Sequence, residues 1–114
     1  HSGLSYVFSG DTSPCEALTS LSRGANLLYH EATFAENLSA KAKQTGHSTA
    51  AQAASTAKEA GVKALLLGHF SSRYRSPSIL LKEAKNIFGD TELAVEGKSY
   101  ALRAPFDGKG AFVI

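Results

Sequence analysis

The sequence predicts an α/β fold, with helices packed against one face of a sheet. The first observation is that short apolar runs alternate with stretches of helical periodicity, in the order strand, helix, strand, helix, helix, strand, helix and hairpin. The second is that Gly and Pro stand between these stretches, where elements end. The third is the composition: of the 114 residues, 43% are hydrophobic and 19% are charged, which is typical of a globular domain.

The chain begins with a strand and a helix. Residues 4–8 are apolar and aromatic, which favours a strand, and the turn-forming run 9–14 ends it. Pro14 suits the first turn of a helix, in which Leu18 and Leu21 recur at helical spacing. The sequence therefore predicts that a loop separates the first strand from the first helix.

A strand and two helices follow in the middle of the chain. Residues 26–29 are apolar and predict the second strand, and residues 34–43 predict a helix. Thr49 and Gln52 stand at the spacing of a capping box, in which each side chain satisfies a backbone N–H at the start of a helix. The alanine-rich run that follows favours a helix, which Gly61 ends.

The last elements are a strand, a helix and a hairpin. Residues 63–67 predict the third strand. Pro77 opens a helix with an apolar face, and Gly89 ends it. Residues 92–95 and 99–102 predict two strands joined by a turn, which is the pattern of a hairpin.

Charge and cysteine content bound the class of protein only loosely. The formal net charge is +2 and the basic residues are scattered, so charge neither supports nor excludes a nucleic-acid partner. No apolar run approaches the roughly 20 residues of a membrane span, so we expect no membrane partner. Cys15 is the single cysteine, and we interpret it as a structural rather than a catalytic thiol in a reducing, cytoplasmic compartment.

Polar residues fall where the predicted strands end. Asp11 follows the first strand, His30 and Glu31 end or follow the second, and His69 follows the third, while His47 precedes a helix. In open α/β sheets, ligands bind beyond the carboxyl ends of the strands. Three successive strands thus end in a residue that can bind metal or move a proton.

Each of these residues also has a structural interpretation. Asp11 could form an Asx turn, and His30 and Glu31 could be a local hydrogen-bonded pair. His47 could be a turn residue or a helix cap, and His69 could be a satisfied histidine at the edge of the core. Taken together they favour a site, because one end of the sheet collects all of them.

Metal-assisted hydrolysis is the chemistry that these residue types suit. Imidazole and carboxylate are zinc ligands, and two metal ions can clamp the attacking and leaving oxygens of a phosphoryl displacement. Asp11 and His69 are too few for two zinc ions, and the sequence contains no HxHxDH, HExxH or CxxC motif. The sequence therefore predicts a site that is incomplete within this chain.

Four segments carry a family resemblance through their order and spacing. They are Ser9-Gly10-Asp11-Thr12, His30-Glu31-Ala32-Thr33-Phe34, residues 46–54 (GHSTAAQAA) and His69-Phe70-Ser71-Ser72-Arg73-Tyr74. Together they resemble the motifs in the second half of the bacterial ribonuclease Z family. The resemblance implies that residues 1–114 are one partial domain: the C-terminal half of a metallo-β-lactamase-type αββα sandwich, with a mixed sheet and helices on its outer face.

The resemblance also implies roles for the polar residues. Asp11 resembles the aspartate that bridges two zinc ions, and His69 the last histidine ligand of one of them. His47 resembles the catalytic histidine, which is not a permanent ligand and protonates the leaving 3′ oxygen or stabilises charge on the phosphorus. Glu31 resembles the glutamate that orients His47.

Two residues after the third strand are candidates for binding substrate phosphate. Arg73 is one, because a guanidinium binds phosphate through two hydrogen bonds. Ser71 is the other. A structural ion pair is the alternative role for Arg73.

The departures from the family limit what this chain can do alone. In the family, the HxHxDH motif, a further histidine and the arm that grips tRNA lie upstream of the bridging aspartate, and none of them is in this sequence. Because the first residue is His1 and not Met, we expect that the chain begins at an internal point. Two zinc ions are implied for the complete site, and few or none for this chain. We assign no role to residues 103–114.

Three hypotheses for function remain. The first is a zinc-dependent endoribonuclease that removes the 3′ trailer from precursor tRNA, as the role of the whole protein. The alternative is a related phosphodiesterase of the same fold that acts on small or cyclic phosphodiesters. The third is a half-domain that is inactive alone. Because such a half would expose an apolar sheet face, we expect it to form a homodimer or to pair with the missing N-terminal half.

Overall fold

Parallel strands form the central sheet in a computed structural model, which describes residues 5–94, 99–100 and 112–113. The strands β1 (Tyr6–Phe8), β2 (Leu27–Glu31), β3 (Ala64–Gly68) and β4 (Thr91–Leu93) form a four-stranded sheet in the order β1-β2-β3-β4. A separate antiparallel pair joins β5 (Ser99–Tyr100) to β6 (Phe112–Val113). The helices are α1 (Glu16–Ser22), α2 (Ser39–Thr45), α3 (Ala50–Ala60) and α4 (Ser78–Lys85), with a 3₁₀ turn at Glu36–Leu38.

The four-stranded sheet is purely parallel, whereas the family resemblance implied a mixed sheet. Each of its three neighbouring strand pairs runs parallel. At least one helix lies between each strand and the next, and such a crossover returns the chain to the end of the sheet from which it started. All four strands therefore point their carboxyl ends toward the same edge.

The core lies between one face of the sheet and helices α1, α3 and α4. Leu28, Leu65 and Leu67 project from that face and are fully buried. They belong to one cluster with Leu18 of α1, Leu80 of α4 and the five buried alanines of α3. None of the described helices is long and apolar enough to cross a membrane.

The predicted capping box of α3 is confirmed. The Thr49 hydroxyl oxygen accepts the N–H of Gln52 at 3.1 Å, and the Gln52 side-chain oxygen accepts the N–H of Thr49 at 2.8 Å. Gly61 ends the helix with φ of 71°, a left-handed conformation that glycine adopts without strain. The cap also fixes the chain just upstream, where His47 lies.

The predicted helix over residues 34–43 begins later than expected. Phe34 is buried and forms an isolated parallel bridge with Thr49, and the N–H of Ala35 donates to the Tyr74 hydroxyl. These contacts hold residues 34 and 35 extended, so helical turns start only at Glu36. Tertiary pairing overrides local propensity at this point.

The predicted hairpin of residues 92–95 and 99–102 is wrong. The strand Thr91–Leu93 pairs in parallel with β3, and Ser99–Tyr100 pairs with Phe112–Val113. The N–H of Ala94 donates to the carbonyl of Leu67, so this segment satisfies backbone groups at the edge of the central sheet. Residues 4, 95–98 and 101–102 of the predicted strands and turn lie outside the described residues.

Candidate functional site

The carboxyl ends of three neighbouring strands bring the predicted site residues together. Asp11 lies in the loop after β1, Glu31 is the last residue of β2, and His69 directly follows β3. His47 lies between α2 and the cap of α3. Four of the residues predicted to converge, Asp11, Glu31, His47 and His69, therefore meet at one edge of the sheet, whereas His30 does not.

Asp11, His47 and His69 form a compact cluster. Each offers one ligand atom, and these three atoms all lie within 4.8 Å of one another. The Nε2 atom of His69 is 3.5 Å from Oδ1 of Asp11, and the His47 and His69 rings stack with centroids 5.4 Å apart. Asp11 and His69 are exposed and His47 is half-buried, so the cluster is open to solvent.

Glu31 lies behind the cluster and is almost completely buried. Its carboxylate accepts hydrogen bonds from Nδ1 of His47 at 2.9 Å, from the hydroxyl of Thr33, and from the N–H groups of Ser48 and Thr12. Burial alone would raise the pKa of Glu31, but these hydrogen bonds together outweigh it and lower the pKa below the ordinary value of 4.5. A fixed negative charge therefore stands behind His47.

Hydrogen bonds also hold the loop that carries Asp11. The Ser9 hydroxyl oxygen accepts the N–H of Glu31 at 3.1 Å, and the Ser13 hydroxyl donates to the carbonyl of His47 at 3.3 Å. The Ser48 hydroxyl donates to the carbonyl of Thr12. These contacts tie the loop to β2 and to the start of α3 on both sides of Asp11.

Thr33 is a site residue that sequence reasoning missed. Its hydroxyl oxygen lies 3.0 Å from Nδ1 of His69 and 2.5 Å from Oε2 of Glu31. The available signal was spacing, because residues two apart in an extended segment project to the same side, so a side chain two positions after Glu31 faces the site.

The backbone at the end of β3 directs His69 toward the cluster. His69 has φ of 58°, which is a left-handed conformation that non-glycine residues rarely adopt. The preceding residue, Gly68, packs against Tyr29, whose hydroxyl oxygen lies 1.9 Å from the position that a Cβ atom on Gly68 would occupy. Only glycine therefore fits beside Tyr29 in the present packing.

His30 is turned away from the cluster. It is fully buried on the helix side of the sheet, since its neighbour in the register is the core residue Leu67. Its Nδ1 atom lies 2.8 Å from the carbonyl oxygen of Glu31, and Nε2 has no hydrogen-bond partner within the described part of the chain. Burial lowers the pKa of His30, despite the opposing contact with this carbonyl and the Glu31 charge. His30 therefore fits the structural interpretation.

Arg73 and Ser71 lie on the segment that follows His69. The Nε–H of Arg73 donates to the Ser71 hydroxyl at 3.3 Å, and the guanidinium carbon lies 5.4 Å from the centroid of the Phe34 ring. Phe34 in turn meets the edge of the His47 ring, with centroids 6.3 Å apart. Arg73 makes no salt bridge to any residue that the structure describes. The described residues therefore do not support the alternative role of Arg73 in a structural ion pair.

Known sequences resemble this chain over most of its length. No protein-family model matches it. It is 47% identical to the ribonuclease Z of Salinibacter ruber over 100 residues, which cover 88% of this chain and 31% of the relative. It is 48% identical to the ribonuclease Z of Brevibacillus brevis, over 94% of this chain and 36% of the relative. The chain thus spans about a third of the length of the curated relatives it matches.

Solved structures resemble its fold. The short form of human tRNase Z superposes with a TM-score of 0.65 at 32% identity, covering 85% of this chain and 33% of that chain. A metallo-β-lactamase-fold protein from Bacillus subtilis superposes with a TM-score of 0.70 at 30% identity, covering 78% of this chain and 36% of that chain. The predicted resemblance to ribonuclease Z and the predicted metallo-β-lactamase fold are both confirmed.

Proposed function

We propose that the protein to which this chain belongs is a zinc-dependent endoribonuclease that removes the 3′ trailer from precursor tRNA. The observation that carries the proposal is the cluster of Asp11, His47 and His69 at the carboxyl edge of the sheet, with the buried Glu31 behind it. This cluster lies in a chain whose curated relatives are named ribonuclease Z. The activity belongs to the whole protein, because this chain spans only about a third of those relatives.

Asp11 and His69 are the residues that would hold zinc. A carboxylate and an imidazole nitrogen 3.5 Å apart fit a cation between them, since both atoms can act as electron-pair donors. When bound, zinc supplies Lewis-acid polarisation of the phosphodiester and lowers the pKa of water. Zinc takes about four ligands, so further ligands must come from residues beyond this pair.

His47 is the residue that would donate a proton. Its Nδ1 atom is held by Glu31, which leaves Nε2 as the ring atom that faces outward. In the proposed reaction, an oxygen–phosphorus bond forms from water and the bond from phosphorus to the 3′ oxygen of the tRNA breaks. A proton on Nε2 of His47 passes to that oxygen, which leaves a 3′-hydroxyl on the tRNA. The attacking water releases one proton to solvent, from which His47 regains its own. Glu31 orients the ring throughout.

Arg73 and Ser71 would bind a phosphate beside the reacting group. The Arg73 side chain is exposed and lies over Phe34, which itself contacts His47. The guanidinium can therefore reach a phosphate of an RNA strand that enters the cluster. The Ser71 hydroxyl accepts a hydrogen bond from Arg73 and helps to orient it.

The proposal extends to assembly and location. The rest of the fold, including an N-terminal half, would complete the metal site, and we propose that the protein is a cytoplasmic homodimer. The exposed apolar side chains of Tyr6 and Phe8 on β1 support a further packing partner for the sheet.

Cleavage of a defined precursor tests the function. The purified whole protein is incubated with a precursor tRNA that carries a labelled 3′ trailer, and the product ends are mapped. We expect one cut just after the discriminator base, a 3′-hydroxyl on the tRNA, loss of activity with a chelator and recovery with zinc. Mature tRNA without a trailer is the control substrate.

The same protein is assayed on bis(p-nitrophenyl) phosphate and on a cyclic dinucleotide. A kcat/KM on either small substrate that far exceeds the value on precursor tRNA would favour the alternative phosphodiesterase. The relatives give that alternative no better support than tRNA processing.

A further inference from the structure

We propose that Thr33 is a positioning residue that connects the buried charge of Glu31 to His69 and selects the ring nitrogen of His69 that faces a metal ion. The inference deepens the proposed zinc site and rests on it for the effect on zinc binding. The hydrogen-bond arrangement itself concerns only residues of this chain. Thr33 is only 7% exposed, so its hydroxyl depends on protein partners and not on water.

Only one partner within 3.0 Å of the Thr33 hydroxyl can donate a proton to it. Three atoms lie that close: Oε2 of Glu31 at 2.5 Å, the carbonyl oxygen of His69 at 3.0 Å and Nδ1 of His69 at 3.0 Å. The first two are acceptors, and the hydroxyl has a single proton to give to either of them. The carboxylate is the stronger acceptor because it is charged. Nδ1 of His69 is therefore the atom that donates to the hydroxyl oxygen.

This arrangement fixes the tautomer of His69. When Nδ1 carries the proton of a neutral imidazole, Nε2 carries the free electron pair. Nε2 is the atom that lies 3.5 Å from Oδ1 of Asp11. Two acceptors then face each other across a gap that suits a cation. Thr33 thus presents the correct nitrogen to the proposed ion.

The same carboxylate orients both histidines of the cluster. Glu31 accepts directly from Nδ1 of His47 at 2.9 Å and reaches Nδ1 of His69 through the Thr33 hydroxyl. Because Glu31 is almost completely buried, these hydrogen bonds are stronger than they would be in water. The stacked rings of His47 and His69 therefore share one anchor and both direct Nε2 outward.

The test compares two substitutions of Thr33. Thr33→Val removes the hydroxyl and keeps the shape of the side chain, whereas Thr33→Ser keeps the hydroxyl. Thr19→Val is the matched control, because it removes a hydroxyl from a threonine of similar burial on α1, away from the cluster. Each variant is prepared as the whole protein, with circular dichroism to verify folding.

The first measurement is nitrogen NMR of metal-free protein labelled with ¹⁵N-histidine. We expect the proton of His69 on Nδ1 in the wild type, in Thr33→Ser and in Thr19→Val, and a shift of that proton toward Nε2 in Thr33→Val. The second measurement is zinc affinity by competition with a chelator. It should fall roughly 10–100-fold in Thr33→Val and stay close to wild type in the other two variants.

Two results would overturn the proposal: an unchanged His69 tautomer in Thr33→Val, or an equal loss in Thr33→Ser. If Thr33→Val does not fold, Thr33→Ala replaces it in the comparison with Thr33→Ser. A wild-type protein that shows the Nδ1–H tautomer but does not cleave precursor tRNA would overturn the proposed function and leave the role of Thr33 intact.

Discussion

His30, His47 and His69 come from neighbouring strand ends and loops but have different hydrogen-bond partners. His47 donates to the buried carboxylate of Glu31, and His69 is held through the Thr33 hydroxyl. His30 faces the core, and its hydrogen bond within the described part of the chain is with a backbone carbonyl. Residue type alone therefore does not assign a role to a histidine. The hydrogen-bond partner of one ring nitrogen determines which nitrogen is left to contact a metal ion or a substrate.

The contrast between the proposed roles of His47 and Asp11 gives the first prediction, which concerns the whole protein. His47→Ala should lower turnover by roughly 10²-fold or more while zinc stays bound, because the proposed role of His47 is that of a proton donor and not of a ligand. Single-turnover cleavage of precursor tRNA and elemental analysis of zinc measure the two effects separately.

Asp11→Ala is the matched variant from the same cluster. It should lose metal and activity together, because the proposed bridging carboxylate is removed. Loss of zinc from His47→Ala would make His47 a ligand, and full zinc content in Asp11→Ala would refute the role of Asp11.

His30 gives the second prediction, which concerns stability and pH. Burial lowers the pKa of His30 in the folded protein from the ordinary value of 6.5. As the pH falls below 6.5, the unfolded chain takes up a proton that the folded chain does not, so the free energy of unfolding decreases. Above that pH both states are neutral and His30 adds no pH dependence.

Urea unfolding at intervals between pH 5 and 8 measures this effect, and comparison with a variant that keeps Glu31 removes the contribution of that carboxyl. The slope contributed by one group is at most about 1.4 kcal/mol per pH unit. His30→Gln should lack this contribution while it keeps a polar side chain. Identical slopes in the wild type and in His30→Gln would contradict a neutral, buried His30.

The sequence predicted the residues of the cluster and, through the family resemblance, the contact between Glu31 and His47, but not the connection through Thr33. Asp11, His47 and His69 follow or precede elements with strong local signals, so their convergence at one sheet edge could be predicted. Thr33 was missed because β2 was predicted to end at residue 29, whereas it continues to Glu31. The hydrogen bond from Thr33 to His69 joins residues 36 positions apart, and no local pattern reports it.

At the scale of single elements, the end of β3 depends on the side chain of its neighbour. Gly68 pairs with Glu31 across the sheet, and the Tyr29 ring lies over Gly68 while it stacks on Phe8 with centroids 5.4 Å apart. The Tyr29 ring occupies the space that a side chain at position 68 would need, directly before His69. This close contact gives the third prediction.

Gly68→Ala should destabilise the protein by roughly 1–3 kcal/mol, because the new Cβ would collide with Tyr29. The collision involves both Oη at 1.9 Å and Cζ at 2.4 Å, so the ring has to move. Unfolding in urea measures the loss. The cost should be smaller in a Tyr29→Val background, which removes the ring.

Gly89→Ala is the control, because no atom lies within 4 Å of the added Cβ and the substitution should be close to neutral. Equal destabilisation by Gly68→Ala in both backgrounds would show that the contact with Tyr29 is not the cause.

Elements with local signals were predicted better than elements that depend on distant pairing. The start of α3 follows from two side chains that are three residues apart, and both predicted hydrogen bonds are present. The partner of β4 is β3, 26 residues away at the pair Leu65–Thr91, whereas the turn-like sequence near residue 97 favoured a local partner. Long-range pairing decides strand order, and short-range patterns do not encode it.

At the scale of the whole molecule, the two faces of the sheet differ. Helices α1, α3 and α4 cover one face. On the opposite face Leu27 and Leu66 of the inner strands are buried, whereas Phe8 on β1 is 60% exposed and Tyr6 is 37% exposed. These two residues alternate with Val7, which packs against the core, so they share the opposite face. Exposed aromatic side chains in a row on a sheet favour association.

The final prediction is that the 114-residue chain associates when it is prepared alone, and that the face of Tyr6 and Phe8 is responsible. Sedimentation velocity over a range of concentrations should show a dimer, and Phe8→Lys with Tyr6→Lys should shift it to monomer. Leu21→Lys with Ile79→Lys is the matched control, because these exposed residues lie on helices and their loss should leave the dimer intact. A wild-type chain that remains monomeric at every concentration would contradict the prediction. Dissociation by the helix variant alone would move the interface to the other side of the molecule.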